Sequence, residues 1–313
     1  MEFLNIEKVK NISSIGGGPI GGGWTAFFLS KGYNVKSYLH EPKEKKMFMK
    51  IVRTAWKSLK KLGLTKNASL NNLSVVCDLK KSLEGSHFVQ ESAPEKLELK
   101  QDLYYEMGEI LPKNIIISSS TSGFMMTDIQ KKCNSPERTI IGHPFNPPYI
   151  LPLVEIVGGQ KSSKLAVEWA YDFYKSSGKE PLKLKKEIPG FVATRLQEAL
   201  WREALHMVDN GEASPEDIDI ALINGPAPRM VIQGQCMAFH VACGEGGMAT
   251  NLDQFGPALK WPWTRLKAPE LTSELRDKMV KGCNEMAGNT NFEDLVSSRD
   301  NAIVKVLNAI GNK

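Results

Sequence analysis

His143 and Glu155 are the residues whose types and spacing suit proton chemistry. A short β-branched strand over residues 139–142 delivers His143 at the opening of a turn. A proline-rich crossing follows, then a second short apolar strand over residues 153–157, with Glu155 inside it. A carboxylate within an apolar run is costly to bury without a partner, and a histidine at the end of the neighbouring strand supplies one. An imidazole held by a carboxylate is a common general base, because the carboxylate fixes the tautomer and stabilises the protonated ring. We read His143 as the base and Glu155 as the group that orients it. A structural ion pair between two strand ends is the alternative. The hydroxyl run Ser118-Ser119-Ser120-Thr121-Ser122-Gly123 is either a capping loop or a source of a hydrogen bond to a substrate hydroxyl.

These groups need a scaffold, and the N-terminal half reads as one. An alternating strand over residues 9–15 runs into Gly16-Gly17-Gly18-Pro19-Ile20-Gly21, and a helix-compatible apolar segment follows. This is G-x-G-x-x-G in strand–turn–helix context, a dinucleotide-binding pattern. Gly16 permits the tight turn, Gly18 lets the backbone approach a pyrophosphate, and Gly21 lets the helix pack on the strand. Pro19 and Ile20 open the helix whose free amides face the phosphates. The next strand, residues 34–39, should end near a ribose-binding acid. Glu41 is the nearest, two residues past Leu39, with His40 as the other polar candidate. An acid nearby and no arginine directly after favour NAD; Lys43, Lys45 and Lys46 keep NADP open, or form a solvated helix face. A helix over residues 42–61 carries an apolar stripe of Met47, Ile51, Ala55 and Leu59. At the carboxyl end of a later strand come Glu91, Glu95 and Lys96, which we assign to the cofactor edge.

Composition sets bounds. The chain has 313 residues, 42% of them apolar and 24% charged, with a net charge of +5. That balance suits a globular protein of two domains. The lysines are dispersed among acids, which argues against a nucleic-acid surface and leaves a small anionic ligand open. None of the five cysteines forms a C-x-x-C pair, and no histidine stands at zinc spacing from a cysteine pair. We expect no metal, a reducing compartment and therefore the cytoplasm. No apolar run reaches membrane-spanning length.

Strand patterns stop at Pro189-Gly190. We therefore place a dinucleotide-binding domain over residues 1–188 and a helical domain over residues 189–313. Helices are expected over residues 158–178, 191–208, 271–286 and 292–310, with a glycine-rich turn at residues 244–247 and a capping box at Ser214-Pro215-Glu216-Asp217.

Gly16-x-Gly18-x-x-Gly21, Ser120-Thr121-Ser122, Gly142-His143-Pro144-Phe145-Asn146-Pro147 and Pro189-Gly190-Phe191 occur in order, and together they resemble the 3-hydroxyacyl-CoA dehydrogenase superfamily. Gln90-Glu91-Ser92-Ala93-Pro94-Glu95, Leu196-Gln197-Glu198-Ala199-Leu200-Trp201-Arg202 and Gln254-Phe255-Gly256-Pro257-Ala258-Leu259-Lys260-Trp261-Pro262-Trp263-Thr264 are similar to members that oxidise small 3-hydroxy acids such as L-carnitine. The resemblance covers nearly the whole chain. It implies an α/β Rossmann-type domain with a parallel sheet, then an all-helical domain through which subunits dimerise. It implies hydride transfer to NAD, with His143 taking the hydroxyl proton, Glu155 as its partner and Ser122 hydrogen-bonding the reacting oxygen.

Three departures matter. Thr194 stands where acyl-CoA members carry Asn, Leu39 where members usually carry the ribose-binding Asp, and residues 224–229 do not read like the acyl-CoA pattern. The last favours a small substrate. A quaternary ammonium cannot donate a hydrogen bond and is best held by aromatic faces. Phe145, beside Asn146, and Phe255 are the first candidates, then Trp261 and Trp263; packing is the alternative for each ring. Arg195 and Arg229 are candidates for the carboxylate, with structural salt bridges as the alternative. L-gulonate and 3-hydroxybutyrate are the other substrates expected of such a relative, and a silent protein of the lens lambda-crystallin kind is a further alternative.

Overall fold

The run Asn11–Ile15 forms the first strand, β1, and its partners follow from the alternation of short apolar runs with helical ones. The structure is a computed structural model that describes residues 2–243, 247–257, 261–265, 270, 272–275, 277 and 289–310. The chain divides into two units, Met1–Thr194 and Arg195–Lys313.

In the first unit, β1 is joined by β2 (Asn34–Tyr38), β3 (Leu73–Val76), β4 (Phe88–Glu91), β5 (Ile116–Ser119), β6 (Thr139–Pro144), β7 (Leu153–Gly158) and β8 (Glu180–Lys183). They form one sheet in the order β3-β2-β1-β4-β5-β6-β7-β8. Every pair is parallel except β6 with β7. Every residue of β4, β5 and β6 is buried, as expected of strands covered on both faces. The strand order reverses between β1 and β4, and in an open α/β sheet the crevice beyond the carboxyl ends at that point takes the ligand.

The helices are α1 (Pro19–Ser30), α2 (Lys45–Leu62), α3 (Leu79–Leu83), α4 (Leu97–Ile110), α5 (Met126–Ile129) and α6 (Lys164–Ser176). One face of the sheet carries an aromatic layer. Trp24 stacks on Phe28 at 5.1 Å, and Phe88 packs on Phe173 at 4.4 Å. Each such ring, fully buried, contributes roughly 2–3 kcal/mol. Val89, Tyr104, Met107, Ile117, Ile141 and Val157 cluster with Phe191 in a second core. Lys179, almost fully buried, lies over Trp24 and Phe27 at 4.9 and 4.1 Å. It donates to the carbonyls of Pro148 and Leu151, which ties down the crossing that follows His143.

Several elements differ from expectation. On α2 the buried face is Phe48, Val52, Ala55, Trp56 and Leu59, while Met47 is 62% exposed. The cause is local: Gly22 on α1 has no side chain, so Ile51 and Phe48 come within 2.7 and 3.7 Å of where a Cβ would stand. The helix expected from residue 158 begins at Lys164, because residues 159–162 close a turn and Ser163 caps the helix by accepting from the Ala166 amide. His143 lies within β6, not in a turn after it.

The second unit is helical among its described residues. It continues α7 (Ala193–Asp209) and holds α8 (Pro215–Asn224), α9 (Ala227–Ala242), α10 (Gly247–Phe255) and α11 (Phe292–Ile310). The Ser214–Asp217 capping box is formed, with both reciprocal hydrogen bonds. Phe191 is not part of α7. It has φ +51°, which ends the preceding turn and puts its ring in the core. The helix expected over residues 271–286 lies for the most part outside the described residues, as do residues 244–246 and 258–260. Among the described residues no helix is long and apolar enough to cross a membrane.

Candidate active site

The glycine turn leaves β1 at Gly16, whose φ of +113° favours glycine. A Cβ at Gly21 would collide with the Gly16 carbonyl oxygen, and one at Gly16 with the Ser92 carbonyl oxygen. Gly18, the N-cap of α1, has nothing within 4 Å of where its Cβ would stand, so its face is open to a ligand. Pro19 at the first turn of α1 gives up an amide that had no partner to lose, and the remaining free amides point outward. A cleft of about 630 Å³ opens here, walled by residues 15–20, by Tyr38, His40, Glu44 and Met47, and by Ser92, Ala93 and Pro94. A bare-backbone cradle between apolar walls fits a dinucleotide.

The charged residues assigned to the rim differ in burial and in partners. Glu91 is fully buried and does not line the cleft. Its carboxylate pairs with Lys100 at 2.8 Å and accepts from Ser119 Oγ and the Ala93 amide, both at 2.6 Å. It is the brace beneath the Ser92–Pro94 wall. The cation that holds it is Lys100, one turn further along α4 than the exposed Lys96. Glu95 is exposed and is not among the residues lining the cleft. It accepts from the Thr121 hydroxyl and from the amides of Ser122 and Gly123 at 3.2 and 3.3 Å, clamping the hydroxyl-rich turn. Glu41 pairs with Lys43, and the acid in the cleft wall is Glu44.

The register of β6 and β7 sets His143 directly opposite Glu155. Directly opposed residues of an antiparallel pair share a face, so their side chains meet. His143 Nδ1 lies 2.9 Å from Glu155 Oε2. The carboxylate is completely buried and the imidazole nearly so. Glu155 Oε1 accepts from the amides of Val192 and Ala193, at 2.8 and 2.9 Å, where α7 starts. Burial alone would raise the Glu155 pKa. The hydrogen bond from His143 and those from the two amides outweigh it and hold the carboxyl below its ordinary value. An ionised carboxylate only accepts, so Nδ1 carries a proton, and in the neutral imidazole the lone pair is then on Nε2. Phe145 and Phe191 flank the imidazole at centroid distances of 5.6 and 5.3 Å.

Behind the histidine runs a buried hydrogen-bonded chain that sequence reasoning missed. Tyr174 donates to Gln90 Oε1, and Ser118 Oγ lies 2.7 Å from the Tyr174 oxygen. Gln90 donates to Ser120 Oγ at 2.8 Å, and Ser120 meets Ser92 Oγ at the same distance. Burial pushes the Tyr174 hydroxyl far up, against the hydrogen bonds from Ser118 and Gln90, so it stays protonated. A Cβ at Gly142 would collide with Tyr174 and Ser118, which explains a glycine immediately before the histidine. Gln90, a polar residue directly after the apolar pair Phe88-Val89, is the visible signal.

Ser122 and Asn146 are exposed, and Thr194 is partly exposed in the first turn of α7. Arg195, Arg229, Phe255, Trp261 and Trp263 belong to the second unit and are exposed, the two indoles packed edge to face at 5.1 Å.

The profile of the 3-hydroxyacyl-CoA dehydrogenase NAD binding domain matches residues 11–188, and that of the C-terminal domain matches residues 190–286. The chain belongs to the 3-hydroxyacyl-CoA dehydrogenase family and is an NAD-dependent oxidoreductase. It is 49% identical over 305 residues to the L-carnitine dehydrogenase of Streptomyces coelicolor, which covers 97% of this chain and 96% of that one. It is 43% identical to the L-carnitine dehydrogenase of Oceanobacillus iheyensis, over 96% of this chain and 98% of that one. Among solved structures, the (S)-3-hydroxybutyryl-CoA dehydrogenase of Ralstonia eutropha is similar at TM-score 0.62 and 27% identity, over 72% of this chain and 82% of that one. An NAD+-dependent dehydrogenase of a pyridine carboxylic acid shares the fold at TM-score 0.82, with 24% identity over 97% of this chain and 99% of that one.

Proposed function

We propose that this enzyme oxidises the 3-hydroxyl of L-carnitine to give 3-dehydrocarnitine. The observation that carries the substrate is the near-full-length similarity to L-carnitine dehydrogenases at up to 49% identity. The chemistry rests on the ionised Glu155 that holds His143 in one tautomer. Nε2 takes the hydroxyl proton as the C–O bond gains double-bond character. Bound NAD supplies the acceptor for the hydride that leaves the same carbon. The imidazolium that forms faces the carboxylate, which stabilises it without taking its proton. Ser122 or Thr194 supplies a hydrogen bond to the reacting oxygen. Phe145, packed on His143, offers its face to the trimethylammonium group.

We further infer a cytoplasmic homodimer. The four cysteines among the described residues are free, in keeping with a reducing compartment. The second unit exposes Leu196, Leu200, Trp201, Ile220 and Ile223, an apolar surface suited to a second copy.

The test is NADH formation from a panel of L-carnitine, L-gulonate and 3-hydroxybutyrate at pH 9. Preference for L-carnitine is expected. Turnover of gulonate without carnitine would overturn the substrate, and cofactor binding without any turnover would overturn the enzyme reading.

A further inference from the structure

A dinucleotide-binding sheet normally holds the adenosine ribose with an acid at the carboxyl end of its second strand. Leu39 occupies that place here. It is fully buried, and its Cδ2 lies 2.6 Å from where a Cβ on Gly17 would stand. It closes the glycine turn and offers no polar atom from its side chain.

Two acids follow. Glu41 starts a turn in extended backbone, its carboxylate pairs with Lys43, and it is not among the residues lining the cleft. Pro42–Glu44 then forms one 3-10 turn, with the Glu44 amide donating to the Glu41 carbonyl at 3.1 Å. That turn reverses the chain and brings Glu44 back over the glycines. Its Oε2 lies 3.3 Å from the Cβ position of Gly17, and the residue lines the cleft beside His40.

We propose that Glu44 is the ribose-binding acid of this chain and that it selects NAD over NADP. A carboxylate there accepts from both hydroxyls of the vicinal diol. A 2′-phosphate in the same place would face that carboxylate, and among the described residues no lysine or arginine lines the cleft to offset it. Lys45 and Lys46, which looked compatible with a 2′-phosphate, are exposed on α2 outside the cleft wall, and Lys43 is engaged by Glu41. The inference holds whichever 3-hydroxy acid is oxidised, because it concerns only the dinucleotide.

The test measures dissociation constants of NADH and NADPH from cofactor fluorescence, without substrate, for the wild type, Glu44→Gln and Glu41→Gln. The wild type should prefer NADH by about 100-fold. Glu44→Gln should weaken NADH about tenfold, leave NADPH unchanged or tighter, and so close most of the gap. Glu41→Gln should leave both constants within about twofold. Glu44 makes no side-chain cap to α2, so its removal should spare folding; Glu44→Asp, which keeps the charge on a shorter arm, should fall between the wild type and Glu44→Gln. Unchanged constants in Glu44→Gln, an equal loss for both dinucleotides, or the selectivity change appearing in Glu41→Gln instead would each overturn the proposal.

Discussion

Glu155→Gln changes two atoms' chemistry and almost no volume, so its effect isolates the tautomer. In the native site Oε1 accepts from two amides and Oε2 faces Nδ1 of His143. The glutamine has one acceptor oxygen and one amino group. Setting the amino group against the Val192 and Ala193 amides would oppose donors to donors in a buried site, at about 1–3 kcal/mol for each group left unpaired. The side-chain oxygen therefore stays on the two amides, and the amino group donates to Nδ1. Nδ1 must then accept, its proton moves to Nε2, and the ring has no lone pair for the substrate. A positioned general base contributes about 10²–10⁴-fold. A loss near the middle of that range, about 10³-fold in kcat, is about 4 kcal/mol of transition-state stabilisation. The assay is initial-rate NADH formation from L-carnitine at saturating NAD, with the NADH dissociation constant measured separately and expected unchanged. A kcat within tenfold of wild type would refute the claim that Glu155 sets the tautomer.

Three other outcomes follow from the same geometry. Because the Glu155 pKa is lowered on folding, its ionised form stabilises the native state at pH values above the ordinary carboxylate range. That contribution is lost as pH falls through the depressed native value, so acid unfolding of the wild type should be steeper there than that of Glu155→Gln; identical pH profiles would contradict this. Lys100→Met strands the fully buried Glu91 and should cost about 3–5 kcal/mol, lowering the melting temperature by roughly 10 °C. A drop of under about 2 °C would show the pair to be dispensable. Phe145→Leu should raise KM for L-carnitine about threefold, in line with a cation–π contact of 0.5–1 kcal/mol, and leave that for 3-hydroxybutyrate unchanged. Equal effects on both would reassign the ring to packing.

The scaffold was legible where one residue type admits one geometry. Gly16, Gly18 and Gly21 mark the turn because any side chain there meets backbone or blocks the ligand face. The contact of His143 with Glu155 was legible because a carboxylate in an apolar strand must find a partner. What escaped reading depended on the direction of a side chain after a turn. The sequence Glu41-Pro42-Lys43-Glu44 does not say which acid faces the cleft until the 3-10 turn is built. Lys96 and Lys100 are one helical turn apart, and only the depth of Glu91 beneath the cleft picks Lys100. Met47 and Phe48 are neighbours on α2, and the bare surface at Gly22 decides which is buried. The left-handed backbone of Phe191 was hidden because the residue is neither glycine nor asparagine.

The most direct test of the central claim compares wild type and His143→Ala in NADH formation from L-carnitine, with NADH affinity measured on both proteins. The account predicts turnover by the wild type, loss of nearly all of it in His143→Ala, and equal NADH binding. Substantial turnover by His143→Ala with its cofactor still bound would contradict it, and the proton would have to be assigned to another group.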